Sequence, residues 1–355
     1  MPHSAFKTER AAAGRGMIPS VTEAAAAWFG GRLATGLVEV TDDPAALDTG
    51  GWWAVVHSFE GAFRAARFES VVAAPLPVGR WRGVPRASWA SSLDEQEYVR
   101  AVSTVRERIA AGDVYQANIC RVMSAPLPPE CEIAGLSALL AAGNPAPYGG
   151  FVHAPELGLD VATASPELFL RRRAEVVESG PIKGTGRTPD DLQPKDVAEN
   201  IMIVDLVRND LSRVCEPGSV TVPHLLALEV HPGLVHLVST VRGELLAGTS
   251  WADLLAATFP PGSVTGAPKS SALRIITELE TAPRDVYCGA IGWVDADAGE
   301  AELAVGIRTF WSDGDTLRFG TGAGITWGSD PYGEWAETEL KADRLLSIAA
   351  QEAGT

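Results

Sequence analysis

Two pairs of carboxylates occur at helical spacing and could together bind a metal ion. Asp196 and Glu199 are three residues apart, so they lie on one face of a predicted helix. Glu334 and Glu337 repeat this spacing, and Lys341 follows four residues later. Solvated helix faces with a Glu337–Lys341 ion pair explain the pattern. If the pairs instead meet in space, their oxygens would suit Mg²⁺, a hard ion that prefers oxygen ligands. Spacing alone leaves both interpretations open.

Three further side chains could attack a substrate or transfer protons. Lys183 stands in the segment PIKGTGRT, where an exposed loop lysine is the simple explanation. Glu167 in SPELF and His236 in HLVST are candidate proton-transfer groups. A surface glutamate and a hydrogen-bonded core histidine fit these two patterns as well. None of the three signals is specific by itself.

The segment GTGAGIT, residues 320–326, predicts a backbone that can turn successive amides toward one point. Such a concavity binds anions without a formal positive charge, although a tight turn without a ligand is the alternative. Arg308 precedes the segment and Lys341 follows it. Because arginine recognises carboxylates with two hydrogen bonds, these cations favour a carboxylate-binding site.

A phosphate-binding loop is a weaker interpretation of the segment FPPGSVTGAPKS, residues 259–270. The segment ends in lysine and serine before a predicted helix, as a nucleotide-binding loop does. Pro268 directly precedes Lys269, however, and removes a backbone amide that would hold phosphate. The sequence therefore disfavours nucleotide binding.

The overall charge disfavours some classes of partner. A formal net charge of -16 over 355 residues argues against nucleic acid and anionic membranes, which need clustered lysine and arginine. A small anionic substrate remains compatible, because a local cation or metal ion outweighs distant, screened charge. The sequence shows no long apolar run and no secretion signal, and its four cysteines are scattered, which predicts a cytoplasmic protein with reduced thiols.

Alternating helix and strand patterns must position these residues. Residues 91–113 predict a helix, and residues 114–128 predict a strand that contains Gln116. Residues 302–326 predict a hairpin with Arg308 on its first strand and its turn at Asp313-Gly314. Two more helices, over residues 195–215 and 332–352, carry the carboxylate pairs.

The chain is expected to have three regions. Residues 1–16 predict a disordered lead-in, residues 17–90 a β-rich scaffold packed on the core, and residues 91–355 the catalytic domain.

Nine motifs between residues 92 and 350 resemble, in their order, those of the chorismate-utilising enzymes. They are SPELF, PIKGTGRT, ENIMIVDLVRNDL, HLVSTVRG, PPGSVTGAPK, AIGWVD, GIRTF, GTGAGIT and EWAETELKA. The resemblance implies an α+β fold in which two large antiparallel β-sheets pack orthogonally, with helices outside in α/β/β/α layers. It also implies a site for chorismate that depends on Mg²⁺.

The resemblance carries over a ligand set by position. Glu199 and Glu337 correspond to the metal ligands, and Asp196 and Glu334 to water-mediated or indirect partners. Asp196 stands where relatives often have glutamate, so its shorter side chain puts direct contact with the ion in doubt. The resemblance implies that the amides of Gly322, Ala323 and Gly324 bind one carboxylate of chorismate. It implies that Tyr287, Arg308 and Lys341 bind the side-chain and ring carboxylates. Ser263 and His236 are implied to lie beside the chorismate ring.

Two positions distinguish the members of the family. Isochorismate and salicylate synthases have a lysine that activates water where this chain has Gln116, and glutamine cannot remove a proton from water. Anthranilate synthases usually read PIAGT where this chain, like the aminodeoxychorismate synthases, reads PIKGT. In that subfamily the lysine, here Lys183, attacks C2 of chorismate and expels the 4-hydroxyl, and ammonia then adds at C4. Glu167 corresponds to the acid that protonates the hydroxyl, so its pKa is expected to be raised.

The implied activity is therefore synthesis of 4-amino-4-deoxychorismate for 4-aminobenzoate and folate. A separate glutamine amidotransferase subunit is implied as the source of ammonia, since no Cys-His-Glu arrangement is visible. The alternatives are an anthranilate synthase, which also eliminates pyruvate, and a non-catalytic chorismate-binding protein.

Overall fold

The structure, a computed structural model, describes residues 24–186, 188–192, 194–231 and 234–351. The predicted lead-in lies outside these residues. Within them the chain forms eighteen strands and six α-helices. The strands are β1 (Ala26–Phe29), β2 (Arg32–Thr41), β3 (Trp52–His57), β4 (Phe63–Ala73), β5 (Ala90–Ser91), β6 (Gln116–Pro126), β7 (Tyr148–Ala154), β8 (Leu159–Ser165), β9 (Leu168–Arg173), β10 (Val176–Gly180), β11 (Ile182–Gly186), β12 (Thr221–His231), β13 (Leu234–Glu244), β14 (Gly266–Ala267), β15 (Ala290–Asp295), β16 (Glu300–Val305), β17 (Thr309–Asp313) and β18 (Thr316–Ile325). The helices are α1 (Glu95–Ala110), α2 (Ile133–Gly143), α3 (Pro194–Leu211), α4 (Trp251–Thr258), α5 (Lys269–Leu279) and α6 (Pro331–Ala349).

Hydrogen bonds connect the strands into one antiparallel network with two arms. One arm runs from β12 and β13 through β10, β9, β16, β15 and β3 to β4. The other runs from β1 through β7, β8, β17 and β18 to β6. The long strand β2 joins the arms because it pairs with β1 and with β4, and its register shifts beyond Gly36. The α+β fold class with large antiparallel sheets is thus confirmed.

Alternate residues of the second arm face different layers. In β7, Phe151 packs with apolar residues of α2 and α6, whereas Val152 belongs to the cluster that contains the first arm. In β17, Phe310 and Trp311 divide in the same way. Successive side chains of a strand point to opposite faces, so this arm has helices on one side and the first arm on the other. Side chains of α3 and α4 pack with the first arm, which completes the helix, sheet, sheet, helix order.

Two buried arginines tie separate elements together around the site. Arg121 on β6 reaches α6, where its Nε donates to the Thr338 hydroxyl at 3.1 Å and its guanidinium pairs with Glu339. Arg284 is 1% exposed and pairs with Glu280 at 2.6 Å. It also donates to the Val264 carbonyl at 2.8 Å and to a carbonyl of β6. A buried cation with several acceptors fixes these segments because each unpaired bond would be costly.

The predicted hairpin is present but differs in two details. Gly314 and Asp315 form the turn, because Asp313 pairs with Thr316 across it. The first strand is broken before Thr309, where Arg308 has a φ of 52° in the left-handed region. The prediction that Arg308 lies on a continuous strand is therefore wrong. The predicted helix α1 is confirmed, and so are β6, α3 and α6, which carry predicted site residues.

Candidate active site

Lys183 and Glu167 meet at Ser263, although the three residues come from separate parts of the chain. Lys183 lies on β11, and its Nζ donates to the Ser263 carbonyl oxygen at 3.0 Å. Glu167 follows β8 and lines one small cavity with Ser263, and the Ser263 hydroxyl and the Ile182 N–H are near enough to lower the pKa of its carboxyl group. Ser263 itself lies in a buried 3₁₀ turn. An amine and a carboxyl group therefore share one anchoring residue, which suits nucleophilic and acid–base chemistry.

Burial raises the pKa of Glu167, as expected for a group that must keep a proton. The Ser263 hydrogen bond, the Lys183 charge and the Ile182 N–H each oppose this shift without cancelling it. Glu167 is 5% exposed and borders a cavity of about 20 Å³ with Phe169 and Val207. Such apolar neighbours favour the neutral carboxylic acid over the carboxylate.

The predicted metal-binding carboxylates of α3 and α6 approach one another. Burial raises the pKa of Glu199, and the negative charges of Asp196 and Glu337 add to the shift. Burial also raises the pKa of Glu334, with repulsion from Glu337 adding to it. In Glu337, burial is outweighed by the charge and hydrogen bond of Lys341, so the pKa is lowered. The two pairs thus belong to one electrostatic cluster rather than to separate solvated faces.

Cations already neutralise part of this cluster. Lys341 Nζ lies 2.7 Å from Glu337 Oε1, as the spacing predicts for an ion pair. Lys195 on α3 lowers the pKa of Glu199, Glu334 and Glu337 through its charge. In the part of the chain that the structure describes, no three acidic, histidine or cysteine side chains form a group placed to hold a metal ion. The donor atoms are nevertheless carboxylate oxygens, which fit the preference of Mg²⁺.

Arg308 offers a cation that no acidic side chain neutralises among the residues described. Burial lowers the pKa of its half-buried guanidinium, and no charged neighbour contributes to the shift. A guanidinium in this state is available to bind a substrate carboxylate. Tyr287 lies in the core, and burial raises its pKa well above the ordinary value. Its ring packs so closely on Gly320 that a Cβ there would lie 2.0 Å from the Tyr287 Cγ atom.

The segment GTGAGIT forms the end of β18, so the predicted concave turn is wrong. Gly322 pairs with Cys120 of β6, but the Cys120 N–H donates to Glu280 and the Gly322 carbonyl accepts from Lys341 Nζ. This pair is therefore not hydrogen-bonded across the strands, and the polar groups of Gly322 face the opposite edge.

Alternation along β18 decides which of the three predicted amides is available. The amide of Gly324 faces the same edge as that of Gly322, whereas the amide of Ala323 faces β6. Strand β17 covers this outer edge only as far as Phe319. Two amides, rather than three, are consequently open toward the site.

The remaining predicted residues, Gln116 and His236, are buried in strands beside the site. Gln116 begins β6 and is fully buried, and its amide borders Gly324. His236 is 3% exposed on β13, where its backbone pairs with that of Thr185, two residues beyond Lys183. The local sequence pattern does not distinguish these buried residues from core residues, so their roles stay predictions.

Sequence reasoning missed residues that hold the site together. Asn118 Nδ2 donates to the Ser263 carbonyl at 3.2 Å, the same acceptor that Lys183 uses. Asn200 follows Glu199 on α3, and its Nδ2 donates to the Leu237 carbonyl at 3.0 Å. The YQANI and ENIMIVD segments contain these asparagines, but only an apolar context around a polar residue could have signalled them.

Lys269 is not part of a nucleotide site. Its Nζ lies 2.6 Å from Asp210 Oδ2 and donates to the Thr258 carbonyl at 3.2 Å. The lysine thus joins α5 to α3 and α4, in agreement with the argument from Pro268. In the described residues no helix is both long and apolar enough to cross a membrane.

Comparison with known proteins shows the family to which the chain belongs. Residues 64–347 match the family described as chorismate binding enzyme. The chain is 39% identical over 277 residues to anthranilate synthase component 1 of Streptomyces coelicolor, which covers 73% of this chain and 52% of that protein. It is also 39% identical over 272 residues to aminodeoxychorismate synthase component 1 of Klebsiella aerogenes, which covers 73% of this chain and 59% of that protein. The chain therefore spans little more than half the length of these relatives.

Solved structures show the same fold at low sequence identity. Anthranilate synthase component I from Streptococcus pneumoniae gives a TM-score of 0.74 at 23% identity, covering 96% of this chain and 95% of that one. The menaquinone-specific isochorismate synthase from Escherichia coli gives 0.75 at 19% identity, covering 93% and 90%. With the family match over most of its length, the chain belongs to the chorismate binding enzyme family.

Proposed function

We propose that this chain is an aminodeoxychorismate synthase component I, which converts chorismate and ammonia to 4-amino-4-deoxychorismate for 4-aminobenzoate and folate synthesis. One observation carries the proposal: Lys183 Nζ donates to the Ser263 carbonyl, Glu167 lines one small cavity with Ser263, and the Lys183 charge acts on the pKa of Glu167. Replacement of a hydroxyl group by nitrogen requires a nucleophile and an acid at one place. A protein that only binds chorismate needs neither.

The first half of the proposed reaction forms a covalent bond to Lys183. The free amine of Lys183 attacks C2 of chorismate, both ring double bonds shift by way of C1, C6 and C5, and the C4–O bond breaks. The departing hydroxyl takes the proton of Glu167 and leaves as water. The new secondary ammonium group then returns one proton to Glu167. The raised pKa of Glu167 supports this role, because the group must start in its protonated form.

The second half releases the lysine. Ammonia forms a bond to C4 with its lone pair, both ring double bonds shift back, and the C2–N bond to Lys183 breaks. Lys183 takes the proton of Glu167 and regains its free amine, while the new ammonium group at C4 gives its surplus proton to Glu167. The net change is replacement of hydroxyl by amino, with one water released.

The open cations and amides support recognition of the two chorismate carboxylates. Arg308 has no acidic partner among the residues described, and the amides of Gly322 and Gly324 lie on the edge of β18 beyond β17. In the proposal these groups bind the carboxylates together with Lys341 and Tyr287. Ser263, His236 and Gln116 would line the ring, in the positions that the family resemblance implies.

A magnesium ion is part of the proposal. Glu199 and Glu337 would bind it, with Glu334 and Asp196 as indirect partners. Burial raises the pKa of Glu199 and of Glu334, and repulsion from neighbouring carboxylates adds to both shifts. A hard cation with oxygen ligands would relieve this repulsion, which supports the assignment. When bound, the ion would supply positive charge for a carboxylate of the substrate.

Ammonia is proposed to come from a separate glutamine amidotransferase subunit. The relatives named component 1 support a reaction divided between components. Free ammonium should replace the subunit in vitro, which allows the chain to be tested alone.

An anthranilate synthase is the second candidate, because one such relative is also 39% identical. That reaction would eliminate pyruvate after amination. Lys183 favours the first candidate, since anthranilate synthases usually have alanine at this position.

Mass spectrometry of the products tests these candidates. The purified chain is supplied with chorismate, Mg²⁺ and ammonium, and Lys183→Ala and Lys183→Arg are measured beside it. We expect aminodeoxychorismate from the wild type and almost none from either variant, because arginine keeps the charge but not the nucleophile. Anthranilate as product would favour the second candidate. An active Lys183→Arg variant would show that the lysine acts only through its charge.

A further inference from the structure

Two residues from other parts of the chain hold three consecutive backbone carbonyls of the Ser263 segment, residues 263–265. Asn118 Nδ2 donates to the Ser263 carbonyl at 3.2 Å, and the Asn118 backbone N–H donates to the Thr265 carbonyl at 2.8 Å. Between them, Arg284 Nη1 donates to the Val264 carbonyl at 2.8 Å. Arg284 Nη2 also donates to the Asn118 carbonyl at 3.0 Å. The two residues therefore hold each other as well as the segment.

Arg284 has little freedom to release these carbonyls. It is 1% exposed, and its Nε and Nη2 donate to Glu280 at 2.8 and 2.6 Å. On one face, the guanidinium carbon lies 4.3 Å from the centre of the Phe59 ring. A guanidinium carries its donors in one rigid plane. Its position therefore fixes the Val264 and Asn118 carbonyls relative to each other.

The Ser263 carbonyl connects these contacts to the proposed nucleophile. It also accepts a hydrogen bond from Lys183 Nζ at 3.0 Å, so Asn118 and Lys183 use both of its lone pairs. A neutral amine has two N–H groups and one lone pair. When one N–H group donates to a fixed acceptor, the directions open to the lone pair are restricted. The position of the Ser263 carbonyl therefore decides where the lone pair of Lys183 can point.

We propose that Arg284 and Asn118 are positioning residues for Lys183, and that they act by fixing the Ser263 carbonyl that orients its amine. The inference rests on the proposed function. In it, neither side chain exchanges a proton or forms a bond to chorismate. Attack requires aligned atoms about 3–3.5 Å apart, and a displacement of about 1 Å can cost on the order of a hundredfold in rate. A shift of the carbonyl should therefore slow formation of the Lys183 adduct without weakening chorismate binding.

The guanidinium of Arg284, rather than its charge alone, is the feature that the inference needs. Replacing a buried ion pair by apolar residues is often neutral or stabilising, so stability by itself does not require an arginine here. A lysine would keep the charge beside Glu280. Its donors all lie on one nitrogen, however, and cannot span two carbonyls and a carboxylate as the guanidinium plane does. Arg284→Lys therefore separates the two properties.

Arg284→Lys and Asn118→Leu test the inference beside the wild type. Mass spectrometry gives the rate at which the Lys183 adduct forms from chorismate and Mg²⁺ without ammonia, and steady-state assays give kcat and the KM for chorismate. We expect the adduct rate and kcat to fall about ten- to hundredfold in each variant, while the KM changes less than about twofold. Urea unfolding establishes a temperature at which every variant is folded, so that a loss of stability does not enter the rates.

Arg64→Lys is the matched control for the change from guanidinium to amine. Arg64 pairs with Asp285, the residue after Arg284, at 3.2 Å, but it does not belong to the pair that holds residues 263–265. Its variant should form the adduct at the wild-type rate. Because Arg284 and Asn118 act on one segment, the Arg284→Lys/Asn118→Leu double variant should lose less than the product of the two single losses.

Several results would overturn the inference. A wild-type adduct rate in both folded single variants does so directly. A raised KM for chorismate with an unchanged kcat also does so, because the residues would then shape binding rather than orient Lys183. If Arg284→Lys does not fold, Asn118→Leu decides alone, since it removes only the side-chain bond to Ser263. A wild type that forms neither adduct nor aminodeoxychorismate refutes the proposed function itself, and the inference with it.

Discussion

Acid should destabilise the protein through one buried histidine, His57. Its ring stacks on Phe259 with centroids 3.8 Å apart, and its Nδ1 has no partner among the described residues. Burial lowers the pKa of His57 from 6.5 to about 4, and a hydrogen bond to Gly61 opposes the shift. Phe259 begins the segment that leads to Ser263. Protonation of His57 should therefore weaken the packing of the segment that carries Ser263.

The size and sign of the effect follow from the pKa of His57. The folded protein binds this proton less readily than the unfolded chain, so the unfolded state takes up more protons between pH 6.5 and about pH 4. The stability due to the neutral ring is complete above the unfolded pKa and is lost as pH falls through the folded pKa. One pKa unit corresponds to ~1.36 kcal/mol, so the full shift is on the order of 3 kcal/mol. About 2 kcal/mol of this should be lost between pH 7 and pH 5.

Urea unfolding at pH 7 and pH 5 measures this loss. His57→Phe keeps an aromatic ring against Phe259 but removes the titrating group. We expect the free energy of unfolding of the wild type to fall by about 2 kcal/mol more than that of the variant. Other titrating groups are common to both proteins and cancel in the difference. His224→Gln, at an exposed position, should behave as the wild type. Equal losses in the wild type and His57→Phe would refute the reasoning.

Two further substitutions test the packing around the site. Arg284→Met should cost about 3–5 kcal/mol in the free energy of unfolding measured with urea, because it leaves Glu280 buried without its cation. A cost below about 1 kcal/mol would mean that the pair is not buried as described. Gly324→Ala should cost about 1–3 kcal/mol in the free energy of unfolding, because the new Cβ would lie 2.3 Å from Gln116 Nε2. Gly328→Ala is its control, since a Cβ there meets nothing within 4 Å; similar losses of stability in both variants would contradict the prediction.

Elements with a strong apolar period were predictable from the sequence. Helix α1 buries Tyr98, Val102 and Val105, and the sequence places these apolar residues at spacings of four and three. Strand β6 was predictable from its composition. These elements follow local rules because periodicity records which side of an element is buried.

Segments with special backbone conformations were less predictable. GTGAGIT was expected to turn, but its glycines allow close approach of Tyr287 and Gln116 to an extended strand. The absence of a Cβ allows both a tight turn and a close contact in an extended strand, so composition cannot distinguish the two. Arg308 was expected within a strand, whereas tertiary packing holds it at a φ of 52° between two strands. The functional roles and the division at residue 90 stay predictions.

By itself the sequence determined the family, because many short motifs in a fixed order are specific even where each alone is not. It also determined the chemical types available: Lys183 and Glu167 for covalent and proton chemistry, and carboxylates at helical spacing for a hard cation. Only the tertiary structure brought Lys183 and Glu167 to Ser263, some eighty residues farther along the chain than Lys183. Only burial gave Glu167 its raised pKa and left the side-chain amide of Gln116 without a partner among the described residues. The physical reason is that desolvation and hydrogen-bond geometry depend on which distant segments pack together, and no local pattern records that packing.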